Sequence, residues 1–129
     1  SRQNLPQYAR APQVEAGIAR GGYVLADSGA APAVVLIATG SEVALAMQAS
    51  VLLAAEGVAV RVVSMPSTSV FDRQGRDWQA AVLPPGVPRV AIEAGHADFW
   101  RKYVGLDGAV VGIDTSAAAA ATPGSQAAP

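Results

Sequence analysis

The sequence of 129 residues contains no cysteine. That excludes disulfides, thiolate metal centres and a cysteine nucleophile. A single histidine, His96, excludes a histidine-rich metal site within the chain. Neither sign of charge is in excess: nine Lys and Arg against ten Asp and Glu give a formal net charge of -1. Such a balance offers no field to hold nucleic acid or an anionic membrane, so neither is an expected partner. No apolar run approaches the roughly 20 residues needed to span a bilayer. The opening Ser1-Arg2-Gln3-Asn4 lacks both an initiator Met and the pattern of a signal peptide, and the chain reads as a piece of something longer. What remains is apolar. Hydrophobic residues make up 51% and charged residues 15%, the balance of a packed globule, and the length suits one core.

Residues 1–20 are polar, with Pro6 and Pro12 and three arginines, and read as an extended arm or linker. A domain is expected over 21–114. Tyr23-Val24-Leu25 is a short strand, expected to pair antiparallel at a sheet edge because no crossover helix follows it. Ala33-Val34-Val35-Leu36-Ile37-Ala38 is a continuous apolar run suited to a strand buried on both faces. Thr39-Gly40-Ser41-Glu42 opens a helix to about Glu56, with Ser41 as N-cap and Gly57 as a left-handed stop. Val58–Val63 is the second buried strand, which completes a right-handed βαβ unit. Ser64-Met65-Pro66-Ser67 breaks it, and a helix is expected over Arg73–Val82. Arg89–Glu93 and Ala109–Ile113 are further strands, separated by a short helix over Ala97–Tyr103. The pattern predicts a three-layer α/β/α domain with a mixed, mostly parallel sheet of about five strands. Residues 115–129, with five consecutive alanines, have nothing large to bury and are expected to be disordered.

Few positions carry chemistry. A helix opening on Gly40-Ser41 at the end of a strand can bind an anion through backbone N–H groups, but helix capping accounts for Ser41, and no P-loop lysine or Gly-x-Gly-x-x-Gly is present. Glu93, His96 and Asp98 suggest acid–base work, with Glu93 ending a strand and His96 in the loop after it, but spacing alone does not give the hydrogen-bond reach a catalytic pair needs, and an exposed loop histidine is the favoured reading of His96. Phe99, Trp100 and Tyr103, spaced by three and four, fall on adjoining parts of one helix face, suited to packing or to a partner domain. Arg101-Lys102 reads as a solvated turn.

Four ordered stretches together resemble the C-terminal third of transketolases: Ser1-Arg2-Gln3-Asn4-Leu5-Pro6; Leu36-Ile37-Ala38-Thr39-Gly40-Ser41-Glu42-Val43; Arg61-Val62-Val63-Ser64-Met65-Pro66-Ser67 with Phe71-Asp72; and Val90-Ala91-Ile92-Glu93-Ala94-Gly95 with Trp100-Arg101-Lys102-Tyr103-Val104-Gly105. The resemblance covers residues 1–114. It implies a cytoplasmic, homodimeric parent enzyme that uses thiamine diphosphate and a divalent metal, Mg or Ca, to move a two-carbon ketol unit between sugar phosphates. It implies that the cofactor lies between two preceding domains, so that this stretch supplies no catalytic, cofactor or metal ligand. One residue carries over: Arg2, whose family counterpart contacts the sugar phosphate. A guanidinium suits that role because its planar fork binds phosphate bidentately. After Ile113-Asp114-Thr115 the sequence departs from the family's usual continuation into Phe-Gly and a closing helix. The neighbouring possibilities are the same domain of a dihydroxyacetone synthase or deoxyxylulose-phosphate synthase, or a stand-alone regulatory module that binds a nucleotide or sugar phosphate at the Gly40-Ser41 rim.

Overall fold

A computed structural model describes residues 5–29, 31–93 and 97–112. Strands and helices follow in the order β1 (Gln7–Tyr8), α1 (Ala11–Ala19), β2 (Tyr23–Asp27), β3 (Val34–Ala38), α2 (Glu42–Ala55), β4 (Val60–Ser64), α3 (Thr68–Asp72), α4 (Arg76–Val82), β5 (Arg89–Glu93), a 3-10 turn (Ala97–Trp100), α5 (Arg101–Val104) and β6 (Ala109–Gly112). The strands form a sheet of order β1-β2-β4-β3-β5-β6. Strands β3, β4, β5 and β6 are mutually parallel, whereas β2 runs antiparallel to β4 and β1 antiparallel to β2. This is the mixed α/β sheet expected, with a sixth strand.

The two-residue alternation of β3 divides the core. Val35 and Ile37, both fully buried, face one side with Val63 of β4 and Ala91 of β5; there they pack against Phe71, Val82, Trp100, Tyr103 and Val104 from α3, α4 and the segment after β5. Leu36 and Ala38 face the other side with Val60, Val62 and Ile92, under Ala46, Val43, Met47 and Leu53 of α2. A strand that must be apolar on both faces reads as a continuous hydrophobic run, which is why β3 and β4 stand out in the sequence.

The structure corrects the reading of residues 1–20 as an extended arm. Residues 7–8 pair with β2 in register Gln7↔Asp27 and Tyr8↔Ala26, so β1 is the outer strand there and β2, though antiparallel as expected, is not the edge. Residues 11–19 are helical. Pro12 does not oppose this helix, because it sits in the first turn, where its missing N–H leaves no bond unmade. The Arg10 backbone N–H donates to Gln13 Oε1 at 2.9 Å, which fixes the start of the helix. Buried Gly17 lies against the stem of Tyr23, closer than any side chain allows.

The helix expected over Arg73–Val82 is α4, which begins at Arg76, and a separate short helix, α3, precedes it. Ser67 is an extended N-cap whose hydroxyl accepts from the Val70 N–H at 3.3 Å, starting α3 earlier. Gly75 is extended and separates α3 from α4. At the end of α2, Gly57 has φ +85°, the left-handed stop expected. Residues 115–129 lie outside the described residues.

Candidate functional site

Parallel β3, β4 and β5 deliver their C-terminal ends to one edge of the sheet. From β3 the chain crosses through α2 to β4 on one side; from β4 it returns through α3 and α4 to β5 on the other side of β3. Successive connections that depart in opposite directions leave a crevice at this edge, the place where open α/β sheets bind ligands. The crevice here encloses about 280 Å³ between Thr39, Pro66, Thr68, Glu93, Phe99 and Trp100.

Its back wall is aromatic. Trp100 is 2% exposed, and its indole N–H donates to the Glu93 carboxylate at the end of β5. Phe99 meets Trp100 edge to face at 5.5 Å and stays half exposed, while Tyr103 lies 5.6 Å from Trp100 on the core side. The Tyr103 hydroxyl donates to the Asp72 carboxylate, with 3.0 Å to each oxygen. Lys102 Nζ reaches Asp72 at 2.8 Å. Asp72 thus ties the segment after β5 to the end of α3. Burial, with the Asp72 hydrogen bond as a lesser cause, raises the Tyr103 phenol above its ordinary value; the Asp72 hydrogen bond raises Lys102.

The Gly40-Ser41 turn is built differently from a simple cap. Gly40 has φ +59°, and N–H groups of Glu42 and Val43 donate to Thr39 and Gly40 carbonyls at 3.2 Å. The turn therefore begins at Thr39, and Ser41, already in the helical conformation, makes no side-chain cap. Its hydroxyl instead donates to Glu42 Oε2 at 2.6 Å. Glu42 is buried in the first turn, so the positive end of α2 already carries a carboxylate, which opposes a bound anion.

The structure brings together Glu93, Phe99 and Trp100 at the crevice, with Tyr103 behind them. Arg2 and His96 lie outside the described residues, as does the side chain of Asp98. Arg101 and Lys102 are not a merely solvated pair, since Arg101 Nη1 donates to the Gly108 carbonyl at 2.8 Å and Lys102 binds Asp72. Among the described residues no group of three or more His, Asp or Glu side chains is placed to hold a metal ion. Glu93 orients the indole, so the crevice wall is a hydrogen-bonded aromatic packing surface.

Sequence reasoning passed over three polar anchors. Asp27 accepts from Arg61 Nε and Nη2 at 3.2 and 2.9 Å, while Arg61 Nη1 donates to the Ala81 carbonyl at 2.8 Å, joining β2, β4 and α4. Arg89 donates to carbonyls of Tyr103 and Leu83, both at 2.9 Å, and its partial burial lowers its pKa. Asp72 is the third. The signal for Arg61 was its place inside an apolar strand, where a charge must find partners.

Comparison with known proteins agrees with this architecture. The profile of the transketolase-like TK C-terminal domain family matches residues 21–124. Transketolase 2 of Vibrio parahaemolyticus is 59% identical over 116 residues, 89% of this chain and 18% of that protein. Transketolase 2 of Escherichia coli is 58% identical over 114 residues, 88% of this chain and 17% of that protein. Among solved structures, transketolase of Leishmania mexicana superposes with a TM-score of 0.66 at 40% identity, over 77% of this chain and 14% of that one. A Pichia stipitis transketolase in complex with sedoheptulose-7-phosphate gives 0.69 at 33%, with the same coverage. The chain thus spans less than a fifth of the length of these relatives. On sequence and fold together, it belongs to the transketolase C-terminal domain family.

Proposed function

We propose that this chain serves as the C-terminal domain of a transketolase, whose whole enzyme transfers a two-carbon ketol unit between sugar phosphates. The observation that carries this reading is the identity of 58–59% with two transketolases across nearly the entire chain. The parent would be a cytoplasmic homodimer of the pentose phosphate pathway. Thiamine diphosphate supplies a stabilised carbanion when bound, and a divalent metal holds its diphosphate. Both are assigned to the domains that precede this one in transketolases, as the family resemblance implies. Residues 21–114 would support the dimer and one wall near the substrate entrance. Arg2 would reach from the preceding segment to the sugar phosphate and bind it bidentately.

The experiment mixes the purified chain with thiamine diphosphate, magnesium and a ketose–aldose phosphate pair. No turnover and no cofactor binding are expected. Turnover, or micromolar binding of the cofactor by the chain alone, would overturn the assignment of a non-catalytic domain.

A further inference from the structure

The sequence contains a single Asp-Gly pair, Asp107-Gly108, and no Asn-Gly. The pair lies in the turn between α5, which ends at Val104, and β6, which begins at Ala109. Asp107 is exposed, as is Leu106 before it. Among the described residues the Asp107 carboxylate makes no hydrogen bond or ion pair, whereas Asp27 is held by Arg61, and Asp72 by Lys102 and Tyr103. A free carboxyl beside a glycine is the combination most open to attack by its own main chain, because glycine has no side chain to hinder the approach of the amide nitrogen.

The fold itself requires the glycine. A Cβ on Gly108 would overlap the Val104 carbonyl oxygen and lie 2.7 Å from that of Arg89. The Gly108 N–H donates to the Gly105 carbonyl at 3.3 Å, beyond the usual range for such a bond, so little holds the nitrogen back. The turn also borders an open cavity of about 460 Å³, which leaves room for the carboxyl to fold back.

We propose that Asp107-Gly108 is a site of spontaneous isoaspartate formation in the folded chain. The Gly108 amide nitrogen attacks Asp107 Cγ, loses its proton and expels a carboxyl oxygen as water, which closes a five-membered imide. Water then adds back at one of the two imide carbonyls. Addition at Cγ restores aspartate. Addition at the main-chain carbonyl carbon breaks its bond to the Gly108 nitrogen and routes the chain through Cβ and Cγ. One water leaves and one returns, so mass and formal charge are unchanged. The product carries an extra main-chain atom between two anchored points: Arg101, whose Nη1 holds the Gly108 carbonyl at 2.8 Å, and β6, which is paired to β5 from Ala109 onward. The change therefore falls at the entrance to the outer parallel strand. The inference is independent of the transketolase reading.

The 129-residue chain, kept folded for several weeks at physiological temperature and pH, tests it. Peptide mapping with electron-transfer fragmentation tells isoaspartate from aspartate, and methyl incorporation by an isoaspartyl carboxyl methyltransferase gives a second readout. Isoaspartate is expected at residue 107 at a level several-fold above that at Asp27, Asp72 or Asp77. Asp107→Glu keeps the charge but needs a less favourable six-membered ring, and should abolish the signal. A folded chain that gains no isoaspartate at residue 107, even if the same chain does so when unfolded in guanidinium chloride, overturns the proposal. So do a gain spread evenly over the four aspartates and methyl incorporation that persists undiminished in Asp107→Glu.

Discussion

Replacing Gly17 with alanine sets two effects of opposite sign against each other. Gly17 lies within α1, with no left-handed backbone to protect. Helix propensity alone therefore predicts that alanine stabilises by about 1 kcal/mol. The packing predicts otherwise. A Cβ on Gly17 would overlap the Cβ and Cγ of Tyr23, the stem of a side chain that is 7% exposed and anchored in β2. A stem cannot swing aside as a flexible tip can, so α1 or β2 must shift. Adding a methyl to a closed contact costs about 1–3 kcal/mol. The balance is a net loss of about 1 kcal/mol, and the cost falls on the docking of α1. Urea denaturation of Gly17→Ala should show a lower midpoint at unchanged slope, and limited proteolysis should cut within residues 5–20 faster than in the parent chain. Gly112→Ala is the control, because that residue is exposed in β6, has no positive φ and has nothing within 4 Å of its added Cβ; it should change the stability by only a few tenths of a kcal/mol. A Gly17→Ala chain stabilised by about 1 kcal/mol would refute the close approach of α1 to Tyr23.

Gly57→Val should destabilise by about 1 kcal/mol or more, read as a lower denaturation midpoint, because φ of +85° is strained for a β-branched side chain. Trp100→Phe should cost about 1–3 kcal/mol, since it removes the N–H that Glu93 accepts and leaves a buried gap; near-UV circular dichroism and melting would report it. Tyr103 and Lys102 both have raised pKa values in the folded chain, so their contributions are present below the unfolded values near 10 and are lost as pH rises through the folded ones. Melting temperature should accordingly fall above about pH 10, and Tyr103→Phe, which keeps the ring and removes the titrating hydroxyl, should fall less steeply; equal slopes would contradict the shift at Tyr103.

The parallel centre of the fold was legible because its physics is written in composition. β3 and β4 are buried on both faces and show as apolar runs, and Gly57 marks the end of α2 by its own conformational freedom. The arm was misread because proline was weighed as a helix breaker without its position: Pro12 in the first turn starts α1, and the contact that docks α1 is the absence of a side chain at Gly17, which no pattern reveals. Ser41 was misread as a cap because the turn begins two residues earlier, at Thr39. At the crevice, the aromatic spacing of Phe99, Trp100 and Tyr103 was visible, but their partners were not. Asp72 lies 31 residues from Tyr103 in sequence and meets it only through the fold, and no spacing showed that Glu93, seven residues before Trp100, takes its indole N–H.

A domain exchange tests the central claim most directly. In Escherichia coli transketolase 2, the 114-residue stretch that is 58% identical to this chain is replaced by the corresponding residues of this chain, and ketol transfer is measured with a ketose–aldose phosphate pair. The account predicts a folded chimera that turns over with kcat within about tenfold of the parent and loses affinity for phosphorylated sugars when Arg2 is changed to alanine. A chimera that cannot fold, or that folds and binds thiamine diphosphate yet transfers nothing, would contradict the assignment of this chain as a working transketolase C-terminal domain.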